Sequence, residues 1–179
     1  MDYEDVLRKR YSVRKYKDQL VEKEKLNKIL EAGRLAPTAG NHQPQRILVV
    51  NSDEGIAKMQ ECTPCHFQAK LLFLVCYDKQ AEHHNHYGDQ RPYGEVDASI
   101  ALTQMMLEAY NLGLGSVWVG LFNPELLRKN FDIPDHYEIL GIMPVGYPDD
   151  EVSPVRCTMK SILLSIPFFI IHTNANLWL

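Results

Sequence analysis

The chain has 179 residues, 45% of them hydrophobic and 23% charged, with a net charge of −4. That length suits one medium-sized domain burying roughly two thirds of its unfolded surface, and leaves too little for a second. The composition is globular, and the negative balance gives no electrostatic reason to bind nucleic acid or an acidic membrane.

The N-terminal residues Met1-Asp2-Tyr3-Glu4-Asp5 are acidic and lack the basic start and apolar run of a secretory signal. A cytoplasmic location is expected, with the cysteines reduced. Cys62, Cys65, Cys76 and Cys157 are too few and too unevenly spaced for a disulfide scaffold. The longest apolar run, residues 162–171, contains Ser165 and Pro167 and is about half the length of a membrane-spanning helix.

Residues 2–10 suit a short helix. Residues 22–35 suit a better one, because Leu26, Ile29, Leu30 and Gly33 form one apolar stripe that Pro37 terminates. The runs 46–50 and 71–77 are short and continuously apolar or β-branched, as in strands buried on both faces. Residues 96–112 have helical length, yet Ile100, Ala101, Met105, Met106, Leu107 and Ala109 leave little polar circumference, so this helix must be covered by the core or by another subunit. Asn111-Leu112-Gly113-Leu114-Gly115 reads as a glycine C-cap leading into a strand at 116–120. That order, helix then glycines then strand, is the reverse of a dinucleotide-binding loop and argues against a Rossmann fold. A helix at 124–130 and a strand at 139–145, closed by Gly146-Tyr147-Pro148, complete one undivided, interleaved pattern.

Three segments can carry chemistry. In Arg10-Tyr11-Ser12-Val13-Arg14 an extended backbone aims two guanidiniums and a hydroxyl at one face, a pattern suited to phosphate, or to a solvated basic turn given Arg8, Lys9, Lys15 and Lys17 nearby. The stretch 36–45 is a helix-terminating loop whose Thr38, Asn41 and Gln43 also suit a heteroaromatic edge such as the pyrimidine side of a flavin. Ser116-Val117-Trp118-Val119-Gly120-Leu121-Phe122 is a core strand whose exit glycine permits close backbone approach to a flat ligand.

In this order the segments resemble the nitroreductase family of FMN enzymes, from the N-terminus to about Pro148. The matching features are R-x-S-x-R, the A-P-T-A-G-N-x-Q-P loop, the D-A-S-I-A-L-x-x-M helix from Asp97, W-V-G and the closing V-G-Y-P. The resemblance implies an α+β fold, a three-layer sandwich with a mostly antiparallel central sheet flanked by helices, in a domain-entwined homodimer. It implies FMN at the subunit interface, with Arg10, Tyr11, Ser12 and Arg14 on its phosphate and ribityl chain. Pro37, Thr38, Ala39, Asn41 and Gln43 of the other subunit would border the ring. Val119, Gly120 and Leu121 would lie against its reactive edge, and Arg156 or Lys160 would complete the phosphate clamp. The implied reaction passes hydride from NAD(P)H through the flavin to nitroaromatics or quinones by a ping-pong scheme, with no side chain assigned as catalytic. Reductive dehalogenation, flavin fragmentation and a non-catalytic flavin-binding or redox-sensing role are alternatives on the same fold.

Cys62-Thr63-Pro64-Cys65-His66 has the spacing of covalent haem attachment, but without an export signal or second ligand pair an ordinary loop is the expectation, with a redox dithiol the alternative. His83, His84 and His86 crowd too closely to face one metal from regular structure, and the resemblance implies that this segment borders the substrate entrance. Residues 1–160 form the expected FMN-binding domain. Residues 161–179 contain no Asp, Glu, Lys or Arg, unlike the family's charged tail. A shifted reading frame is one explanation and an apolar arm on the partner another; either weakens the phosphate clamp. Gln45 and Thr38 also depart from the family's common choices and alter the expected substrate wall.

Overall fold

The computed structural model describes residues 2–153. The expectations for Arg156, Cys157, Lys160 and the 161–179 tail lie outside the described residues. The elements run α1 (Tyr3–Lys9), α2 (Lys23–Arg34), β1 (Gln45–Val50), α3 (Asp53–Cys62), β2 (Leu71–Asp78), α4 (Gly94–Asn111), β3 (Gly115–Ser116), α5 (Pro124–Phe131) and β4 (Tyr137–Gly146), with short 3-10 turns at Ala39–Asn41 and Pro64–His66.

The four strands form one antiparallel sheet in the order β1-β2-β4-β3. Central β2 is buried throughout residues 71–76, as its unbroken apolar run predicts. Its alternating side chains serve two cores. Leu71, Phe73 and Val75 join Ile29 of α2 and Ala98, Leu102 and Met105 of α4 on one face. Leu72, Leu74 and Cys76 join Met59 of α3 and Leu127 of α5 on the other. Each large side chain fully buried this way contributes about 1.5–3 kcal/mol. The result is the expected α+β three-layer arrangement, helices on both faces of an antiparallel sheet. Among the described residues no helix is long and apolar enough to cross a membrane.

Two local expectations are corrected. Helix α3 is an element the sequence pattern does not predict, because Met59 and Cys62 are its only buried residues, although Ser52 caps it by accepting the Gly55 N–H at 3.1 Å and Asp53 and Glu54 fill its first turn. The strand expected over 116–120 is regular only at Gly115–Ser116. Gly115 pairs with Gly146 and Ser116 with Val145, and the same register returns at Val119 opposite Ile142. Between them Val117 faces Pro144, which has no N–H to donate, while the Pro144 carbonyl lies 3.2 Å from the Tyr16 hydroxyl. The ladder therefore lapses for two residues and resumes as two bonds, Val119 N–H to Ile142 at 2.9 Å and Ile142 N–H to Val119 at 3.0 Å.

Candidate functional site

The Arg10–Arg14 segment leaves α1 in extended conformation and lies along β3. Ser12 bridges Ser116 in parallel, and the Val13 N–H donates to the Ser116 carbonyl at 3.0 Å. Val13 turns inward, 1% exposed, and packs on Gly115, where a Cβ would stand 2.5 Å from a Val13 methyl. With Val13 inward, the alternate residues Ser12 and Arg14 lie on the other side, as the sequence pattern requires. Beyond them the Tyr16 hydroxyl donates to the Val13 carbonyl at 2.7 Å, and the Lys17 N–H to the Tyr147 carbonyl at 2.9 Å. Burial pushes the Tyr16 phenol well above its ordinary range, so it stays a neutral donor.

Ion pairing separates these arginines from the surrounding basic residues. Arg8 pairs with Glu4, Lys9 with Asp5, Lys15 with Asp149 and Glu151, and Lys17 with Asp150. Among the described residues no carboxylate pairs with Arg10 or Arg14; Arg14 makes only a long 3.5 Å contact with the Ser12 carbonyl. Two unneutralised guanidiniums flanking a hydroxyl on an anchored strand fit a phosphate group.

The second segment is a tight loop with positive φ at Gly40, Asn41 and Gln43. Its amides are partly engaged internally. The Thr38 hydroxyl oxygen accepts the Gln43 N–H at 3.1 Å, and the Gln43 amide donates to the Asn41 side chain at 2.8 Å. Two groups outside the loop hold it. Asp97, 1% exposed in the first turn of α4, accepts the Ala39 N–H at 2.9 Å. Arg46 donates to the Gln43 carbonyl at 3.0 Å and to Asp78 at 3.1 Å. The sequence reading missed both anchors, although the buried Asp97 opens the D-A-S-I-A helix that it did single out.

In the third segment Val119 is buried, Gly120 exposed with open space where a Cβ would be, and Leu121 63% exposed. Here the chain presents backbone to solvent. Val119 belongs to the sheet while the next two residues project from it.

The structure brings the first and third segments together at β3 and keeps the second apart. The loop at 38–43 enters β1, while the Arg10–Arg14 strap lies on β3, three strand spacings away, or roughly 14 Å. They also sit at opposite ends of the strands: Gln45 is opposite Tyr77, whereas Ser116 is opposite Val145, itself paired with Leu71. Helix α4 spans the same diagonal, roughly 27 Å, with Asp97 on the loop and Leu114 just past its far end.

The outer face of α4 lies between these two segments. It carries no charge from residue 99 to 107. Val96, Ile100, Gln104 and Leu107 line two open concavities of about 520 and 410 Å³ there. Exposed Tyr3 and Leu35 extend this apolar face, with exposed Leu7 on α1.

The two unassigned motifs also resolve into structure. Cys62 is buried; its thiol donates to the Lys58 carbonyl at 3.2 Å, and burial raises its pKa. His83 stacks edge-on with His42 at 5.0 Å and His86 at 5.8 Å, placing the histidine segment against the 38–43 loop. Glu82 of that segment accepts the Gly94 N–H at the start of α4 at 3.0 Å.

The nitroreductase family model matches residues 7–71 and 62–147. A relative from Methanothermobacter thermautotrophicus, named as an NADH dehydrogenase/NAD(P)H nitroreductase, is 34% identical over 155 residues, covering 83% of this chain and 78% of its own. The crystal structure of a nitroreductase family protein from Clostridium difficile 630 superposes with a TM-score of 0.84 at 42% identity, over 92% of this chain and 95% of that one. An FMN-dependent nitroreductase from Clostridium difficile R20291 gives 0.74 at 30% identity over 96% and 98%. An antiparallel sheet with helices on both faces, an arginine-bearing strap along its short edge strand and a family match spanning nearly all the described residues agree: the chain belongs to the nitroreductase family.

Proposed function

We propose that this chain is an FMN-dependent NAD(P)H oxidoreductase acting on small electron-poor acceptors such as nitroaromatics and quinones, donor and acceptor taking turns at one site. The observation that carries the reading is the pair of guanidiniums on the anchored strap that no carboxylate among the described residues neutralises: Arg10 and Arg14, with Ser12 between them, hold the phosphate and Tyr11 borders the ribityl chain. Val119, Gly120 and Leu121 offer backbone groups to the ring's reactive edge, and Pro37, Thr38, Ala39, Asn41 and Gln43 border the ring from a second subunit. When bound, FMN supplies the hydride chemistry; the protein binds, orients and excludes water. The names of the relatives point the same way, one carrying NAD(P)H nitroreductase and another FMN-dependent nitroreductase.

The working form is a homodimer. Packing two copies of α4 antiparallel about a two-fold axis carries the loop at one helix's N-terminal end to the β3 strap at the other's C-terminal end, uniting the separated half-sites. It also covers the uncharged outer face of α4.

Purified protein tests this directly. It should bind FMN, bleach with NAD(P)H and reoxidise with a nitroaromatic, and sediment as a dimer. Arg10→Ala and Arg14→Ala should each weaken FMN binding roughly tenfold, as expected for one charge-assisted phosphate contact. Protein that takes up no FMN under any condition, or binds it equally well without both arginines, sinks the proposal.

A further inference from the structure

The Cys62-Thr63-Pro64-Cys65-His66 motif uses its threonine rather than its thiols. Thr63 is 2% exposed, between the end of α3 and the Pro64–His66 turn. Its hydroxyl oxygen accepts the Cys65 N–H at 3.0 Å, which closes the turn, and its proton is donated to the Leu121 carbonyl at 2.6 Å. The direction is fixed, because a carbonyl can only accept. Next to it the Asn123 N–H donates to the Cys62 carbonyl at 2.8 Å. The Asn123 side chain then caps α5, accepting from Glu125 and Leu126 N–H at 3.0 and 3.2 Å.

Gly120 and Leu121 are therefore held at both ends. Val119 is tied to Ile142 by a reciprocal pair of hydrogen bonds, and Leu121 and Asn123 are tied to Thr63 and Cys62. Between the clamps Gly120 is exposed and makes no sheet pairing. Drawing the Leu121 carbonyl inward turns the Phe122 N–H the opposite way, since the two groups of a trans peptide point apart. A buried hydroxyl thus orients an exposed stretch of backbone more than fifty residues away in sequence.

We propose that Thr63 is a positioning residue that sets the backbone of Gly120 and Leu121 against the reactive edge of the bound flavin. It rests on the FMN reading above. Cys62 and Cys65 then serve as the frame of the turn, Cys62 through its carbonyl to Asn123 and Cys65 through its N–H to Thr63.

The test compares the FMN-loaded dimer with Thr63→Val, which keeps the shape and loses the hydroxyl, and Thr63→Ser, which restores it. Thr63→Val should keep FMN within about threefold of the wild-type affinity, because the arginine strap is untouched. The midpoint potential of its bound FMN should be displaced, and kcat should fall roughly tenfold at near-constant KM, the cost of a small misplacement of groups at a reacting centre. Thr63→Ser should return both to wild type. In the flavin-free protein, hydrogen exchange of a peptide covering residues 119–123 should be faster in Thr63→Val than in wild type, a readout independent of turnover. Should the valine variant not fold, Thr63→Ala makes the same comparison without added bulk. A hydroxyl-free variant with wild-type potential, kcat and exchange overturns the proposal while leaving the FMN reading intact. Wild-type protein that does not bind FMN overturns both.

Discussion

Asp97 gives the most direct test of how α4 governs the 38–43 loop. Its Oδ1 accepts the Ala39 N–H at 2.9 Å, and its Oδ2 is buried with no hydrogen-bond partner among the described residues. Asp97→Ala removes a hydrogen bond to a charged acceptor, worth about 1.5–3 kcal/mol, and leaves the Ala39 N–H without a protein partner. Ala39 is half-buried, so water recovers part of the loss, and the net destabilisation should be about 2 kcal/mol. For a chain of this size that lowers Tm by roughly 4–8 °C. Asp97→Asn keeps the accepting oxygen and exchanges the unpartnered buried Oδ2 for an equally unpartnered amide NH2, so the hydrogen bond to Ala39 survives. This substitution should cost under about 1 kcal/mol. Thermal and urea unfolding of the flavin-free proteins separate the two. FMN titration should then show weaker binding in the alanine variant, because ordering a looser loop on binding costs conformational entropy. An alanine variant as stable as wild type, or an asparagine variant as damaged as the alanine one, refutes a role carried by this hydrogen bond.

Gly115→Ala forces a Cβ to within 2.5 Å of a Val13 methyl, so the variant should lose about 1–3 kcal/mol and bind FMN more weakly as the arginine strap is displaced; unchanged binding would separate strap from site. Asn123→Ala removes the side chain that caps α5 and should cost about 1 kcal/mol in urea unfolding. Burial pushes the Cys76 thiol up from 9.0 to about 11. Below pH 9 both states hold the proton; between 9 and 11 the unfolded chain releases it and the native state does not. Stability should therefore fall across that window, by up to about 2.7 kcal/mol from this group, and Cys76→Ala should flatten the decline in urea titrations at pH 8 to 10.5.

What could be read before folding followed from local rules. The unbroken apolar run at 71–77 predicts a strand buried on both faces, and its two faces do serve two cores. The stripe of Leu26, Ile29, Leu30 and Gly33 predicts α2 to within a residue, because Glu22 and Leu35 become its caps. Helix α3 was less legible: Met59 and Cys62 are its only buried residues, too few to make a periodic signal, although its Ser52 cap was there to be found. The lapse of β3 depends on Pro144, a residue on another strand, and only pairing reveals that. The Arg10–Arg14 pattern was visible as a motif, yet its distinction from a basic turn rests on which carboxylates reach which cations.

The sequence by itself determined most of the elements, though not α3 or the short span of β3, together with the family resemblance and the residue types able to hold a phosphate, because each depends on spacing along one segment. Only the tertiary structure decided that, among the described residues, no carboxylate pairs with Arg10 or Arg14 while their basic neighbours are paired, and that Asp97 and Thr63 hold distant loops. It also decided that the 38–43 loop and the arginine strap occupy opposite corners of one sheet. Those are relations between residues far apart in the chain, fixed by strand order and by which buried polar group finds which partner.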